Sequence, residues 1–88
     1  MMNNEWHVSG LMVQARPENF PALIPALLAI QDTEIPVQDQ QQGKLVVVMQ
    51  AARSQALLEK IESARNLEGV LAVSLVYHQQ DEQGEVMP

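Results

Sequence analysis

Two imidazoles, His7 and His78, and the hydroxyls of Ser9, Ser54, Ser63 and Ser74 are the side chains best suited to acid–base or nucleophilic chemistry in this chain. A nucleophilic serine needs a histidine base, and that base needs a third group to orient it. None of the four serines stands in a sequence context that supplies such partners. A zinc or transition-metal site needs three or four His, Cys or carboxylate ligands. Two histidines without a carboxylate at ligand spacing fall short of that set, so no metal is expected. Glu59 and Glu62 read as solvated helix residues rather than as a catalytic carboxylate pair. The glycines are scattered, and no phosphate-cradling loop follows a strand. With no cysteine, thiol catalysis, disulfides and thiolate metal sites are excluded. The sequence supports neither an enzymatic activity nor a cofactor.

Charge narrows the partners further. Five Lys and Arg against eleven Asp and Glu leave a formal charge of −6, which cannot build the basic patch that nucleic-acid binding starts from. Trp6, Phe20 and Tyr77 are the only aromatics, too few for a base-stacking platform. An acidic surface steers a basic partner instead, and a peptide fits better than a polymer. Met1 to Glu5 carry no positive charge, and the apolar run after them is far shorter than a membrane span. Neither a signal peptide nor membrane insertion is expected.

These residues must be positioned by one small domain, since 88 residues bury a single modest core. Trp6 to Ala15 reads as a first strand, with Gly10 marking a bulge or a place where another group comes close. Pro17 to Ile30 reads as a helix whose apolar face is Phe20, Leu23, Ile24, Leu27 and Leu28. Asn19 is its expected N-cap, and Pro25 in its interior should bend or shorten it, at a cost of about 3 kcal/mol. Thr33 to Asp39 is a second strand, consigned to a sheet edge by Pro36. Gln40 to Gly43 is a turn, and the near-continuous apolar run Lys44 to Ala51 is a central strand. Ser54 is the expected N-cap of a second helix reaching about Asn66, with Leu57, Leu58, Ile61 and Ala64 as its buried stripe. Glu62 and Arg65 can pair on its outer side. Gly69 to His78 is the last strand, and a flexible acidic tail follows from about residue 81.

The order strand-helix-strand, strand-helix-strand builds a four-stranded antiparallel sheet with both helices on one face. This is the ferredoxin-like α+β sandwich, here over residues 1–80. If Leu11, Val13, Leu45, Val47, Met49 and Leu75 pack under the helices, the alternate residues form an open face. Strand one contributes Val8, Gly10, Met12 and Gln14 to it, and strand three contributes Lys44, Val46, Val48 and Gln50. Strand four contributes Ala72, Ser74, Val76 and His78, unless a bulge flips part of that set. An apolar open face of this kind marks an interaction site, unless a second copy or the tail covers it.

Three segments also resemble one known family. They are Trp6-His7-Val8-Ser9-Gly10-Leu11-Met12-Val13-Gln14, Gly43-Lys44-Leu45-Val46-Val47-Val48, and the long block from Ile61 to Gln80. Together they resemble the NapD family, the small cytoplasmic chaperones of periplasmic nitrate reductase. The likeness covers nearly the whole chain and is weakest over the proline-bearing first helix. It implies a cytoplasmic protein that binds the twin-arginine signal peptide of the catalytic subunit NapA and delays export until the cofactor is in place; a monomer is expected rather than a dimer. On that reading the peptide lies across the open face as a helix. The contact residues would be Val8, Gly10, Met12, Gln14, Val46, Val48, Ser74, Val76 and His78, and Glu34 and Asp39 would attract the arginines. A rival geometry adds an extended peptide to the edge strand at Glu34 to Asp39, where Pro36 makes a poor template. A function of another class on the same fold is a regulatory domain that holds a small metabolite at a dimer interface.

Overall fold

The computed structural model describes residues 5–82. Strand β1 (Glu5–Ala15) leads through a 3-10 turn (Pro17–Asn19) into helix α1 (Phe20–Leu28). Strands β2 (Thr33–Asp39) and β3 (Lys44–Ala51) follow, then helix α2 (Ser54–Arg65) and strand β4 (Val70–Glu82). All pairings are antiparallel and the sheet order is β2-β3-β1-β4. The fold is the expected ferredoxin-like sandwich, with the apolar strands β1 and β3 in the centre.

One sheet face supplies Leu11, Val13, Leu45, Val47 and Met49 to the core, where they meet Phe20, Leu23 and Leu27 of α1 and Leu57 and Ala64 of α2. Both helices therefore cover the same side. Strand alternation then leaves the residues between these on the other side.

Proline shapes the first helix. Pro21 lies in the first turn, where a missing N–H costs nothing, but Pro25 is interior and cannot donate to Pro21. The helix is shorter than its apolar periodicity suggests, and Leu28 is exposed at its end. Ile24 is only half-buried. Asn19 does hold the N-cap position, without a side-chain capping bond. In α2 the cap is Arg53 and Ser54 is the first helical residue. Leu58, expected in the buried stripe, is 61% exposed. Arg65 Nη1 lies 2.8 Å from Glu62 Oε2, the expected surface pair.

The connections are pinned by backbone contacts. Gly43 closes the β2–β3 turn at φ 67°, and its carbonyl accepts a bond from Ala15 N at 2.9 Å. The loop before β2 turns at Asp32, φ 60°, whose carbonyl accepts from Gln50 N at 3.1 Å. Lys60 of α2 donates from Nζ to the Gln50 carbonyl at 2.8 Å and stands 3.7 Å from Asp32 Oδ2. Pro36 lies on the edge strand, inside a register irregularity between Glu34 and Val37. Strand β4 continues past His78, pairing with β1 as far as Glu5↔Glu82. The start of the expected tail is thus ladder, and residues 83–88 lie outside the described residues.

Candidate functional site

The register places the open face row by row. Val8 pairs with Gln50, Gly10 with Val48, Met12 with Val46 and Gln14 with Lys44. On the β2 side Glu34 pairs with Val48, Val37 with Val46 and Asp39 with Lys44. On the β4 side Ser74 pairs with Met12 and Ala72 with Gln14. Directly paired residues share a face, so these side chains stand together, opposite the helices. Val8, Met12, Val46 and Val48 are half-buried side by side, with no described helix or strand over them. Glu34 and Asp39 stand at the β2 rim of this surface, as the sequence suggests.

Strand β4 departs from simple alternation. Leu11 pairs with Leu75 but Gly10 pairs with Tyr77, so Val76 is an inserted residue without a partner on β1. Such a bulge reverses the facing of everything beyond it. Tyr77, not His78, therefore joins the open face. His78 turns to the helix side, where its Nδ1 shares a 2.9 Å hydrogen bond with Ser9 Oγ. The expectation that His78 lines the open face is corrected by that extra residue. Val76 is exposed at the bulge rather than seated in the ladder. Leu75 lies on the helix side as expected, yet it is 61% exposed because the helices do not cover the edge strand there.

Gly10 needs a second correction. It is buried, and a Cβ built on it would stand 2.8 Å from Tyr77 Cδ2 and 2.9 Å from Tyr77 Cζ. The tyrosine ring takes the space, so Gly10 is the bed of a side chain rather than a contact surface. This is the close approach that a mid-strand glycine announces.

Three residues of the open face escaped the sequence reading, the first being the exposed Val37 of β2, which pairs with Val46. Tyr77 covers Gly10, and Trp6 has the same parity along β1 as Val8, with its Nε1 donating to Gln50 Oε1 at 2.6 Å. The available signals were that parity and Gly10 itself.

The Ser9–His78 contact is not a nucleophilic site. Ser9 is fully buried, so no substrate reaches its hydroxyl. The His7 ring packs beside it, its centroid 5.6 Å from that of His78. Among the described residues, no group of three or more His, Cys, Asp or Glu is placed to hold a metal ion. Nor is any described helix long and apolar enough to cross a membrane.

An open apolar sheet face with an acidic rim, on a ferredoxin-like sandwich, accompanies a close match to known proteins. The profile of the family described as "NapD protein" matches residues 6–82. The chain belongs to the NapD family. Chaperone NapD of Haemophilus influenzae is 54% identical over 81 residues, 92% of this chain and 87% of that protein. Chaperone NapD of Escherichia coli K12 is 49% identical over 87 residues, covering 99% of this chain and all of the relative. The solution structure of the E. coli Tat proofreading chaperone protein NapD superposes with a TM-score of 0.81 at 49% identity, covering 99% of this chain and 92% of that one. NapD relatives are thus named as chaperones, and their fold is the one described above.

Proposed function

We propose that this chain is a cytoplasmic chaperone that binds the twin-arginine signal peptide of the NapA precursor and delays its export until cofactor insertion and folding are complete. The observation that carries the reading is the sheet face opposite both helices, where Val8, Met12, Val46 and Val48 are half-buried and no described helix or strand covers them. A twin-arginine signal has a basic segment followed by an apolar one. The apolar segment, bound as a helix, lays one side on these residues, and the net charge of −6 draws the basic segment in.

The magnitudes divide the work. Burying a Val or Leu side chain contributes about 1.5–3 kcal/mol, so a few such contacts offset the ordering of a short peptide. Exposed ion pairs add up to about 1 kcal/mol each, so Glu34 and Asp39 contribute less to affinity than the apolar contacts do, and they also raise the association rate and its salt dependence. The chain acts as a monomer and needs no catalytic group. The relatives' description as chaperones, one of them a Tat proofreading chaperone, supports the same reading.

Calorimetry with a synthetic NapA signal peptide tests it, alongside a version with both arginines replaced by glutamine. Binding of the first, weakened in the second, is the expected result. Absence of heat with both peptides would defeat the reading.

A further inference from the structure

One row across the open face has features that apolar contact leaves unused. Tyr77, Gly10, Val48 and Glu34 follow one another across the sheet from β4 to β2. One side of the Tyr77 ring lies against Gly10, and the side chain remains 41% exposed. Val48 is half-buried next to it, and Glu34 is exposed at the far edge on the same face. Adjacent strands lie about 4.8 Å apart, so the Gly10 and Glu34 backbones are roughly 10 Å from each other. The row is an apolar floor with an aromatic ring at one side and a carboxylate at the other.

We propose that this row is a guanidinium subsite that takes one arginine side chain of the bound peptide. A guanidinium is planar and weakly hydrated, so it can stack on an aromatic ring and rest on an apolar floor. Its N–H groups lie in the plane and reach a carboxylate at the side. An ammonium keeps its water more tightly and gains less from such a floor. The opposite end of the face can steer a cation but holds one poorly. There Lys44 stands between Asp39 and β1, and Asp39 Oδ1 already accepts from Gln42 N at 3.2 Å. The row therefore places the basic end of the peptide over Tyr77 and Glu34, away from Lys44.

The inference rests on the peptide-binding reading, and the test separates the two. Calorimetry on the full chain would use the signal peptide with its two arginines, with two lysines, and with two glutamines. The wild type should prefer arginine over lysine by about tenfold. Tyr77→Leu and Glu34→Gln should each erase most of that preference while binding the glutamine peptide as the wild type does. Tyr77→Phe, which keeps the ring on Gly10, should retain it. Equal binding of the arginine and lysine peptides by the wild type would overturn the subsite alone. So would a Tyr77→Leu variant that weakens all three peptides by the same factor, which would make the ring an apolar contact. Failure of the wild type to bind any of the three would remove the subsite and the proposed function together.

Discussion

Gly10 and Tyr77 pair across the β1–β4 ladder, and the ring of the tyrosine occupies the volume that any side chain at position 10 would need. The pair joins the centre of the sheet to its edge on the open face. It also explains why a glycine is tolerated in a central strand, where it otherwise weakens packing and backbone order.

Gly10→Val should therefore displace the ring rather than fill a gap. The expected cost is about 1–3 kcal/mol, as for overpacking elsewhere, read as a lower urea midpoint with unchanged slope. Wild-type stability in this variant would mean that the ring is not held where the structure places it.

Gly43→Ala strains the β2–β3 turn for two reasons. Its φ of 67° disfavours a side chain, and a Cβ there would stand 2.5 Å from the Ala15 carbonyl oxygen. A loss of about 1–3 kcal/mol is expected in thermal or urea denaturation. A variant as stable as the wild type would show that the turn rearranges freely.

Met12→Glu separates binding from folding. Met12 is half-buried on the open face, with Val46 beside it and the helices on the opposite side. A carboxylate there can reach water in the free protein but would be sealed under a bound apolar peptide without a partner. Affinity for the signal peptide should fall below detection by calorimetry, while the melting temperature changes little. Unchanged affinity would remove the open face from the mechanism.

Lys60→Met tests the tie between the second helix and the sheet end. The Lys60 side chain is 18% exposed, with its Nζ bonded to the Gln50 carbonyl and close to Asp32. Loss of the charged donor should cost about 1–2 kcal/mol and speed amide exchange at Gln50, whose N–H bonds to the Asp32 carbonyl. Arg65→Ala removes the exposed Glu62 pair and should change stability by less than about 0.5 kcal/mol. Equal losses in the two variants would contradict this ranking.

Much of the fold is readable because local signals agree. The residues 33–39 and 44–51 form strands with the expected bounds, since alternation, Pro36 and Gly43 all point to the same arrangement. The first helix is overread because its apolar spacing runs on to Ile30, whereas the backbone of α1 ends at Leu28 soon after Pro25. Along β4, alternation counts residues, and the bulge adds one at Val76, a residue type with no turn signal. From that point the assigned facing is inverted, which sends His78 to Ser9 and raises Tyr77. Gly10 marks the close approach in advance but does not say which side chain makes it. Leu58 and Leu75 show the remaining limit: hydrophobic spacing gives the direction of a side chain, not whether a neighbour reaches it.

The two outer strands differ in how they deter other chains. Along β2, Pro36, Glu34, Asp39 and a register irregularity spoil the strand as a template. Along the outer edge of β4, Val70 to His78 includes no Asp, Glu, Lys or Arg, and its defence is bulging alone. Colloidal stability then falls to the molecule's overall charge of −6, a repulsion that acts between whole particles and fades as salt shortens its range. Concentrated stocks should keep best in dilute buffer well above the carboxylate titration range, and clouding at high salt or low pH would begin along this strand.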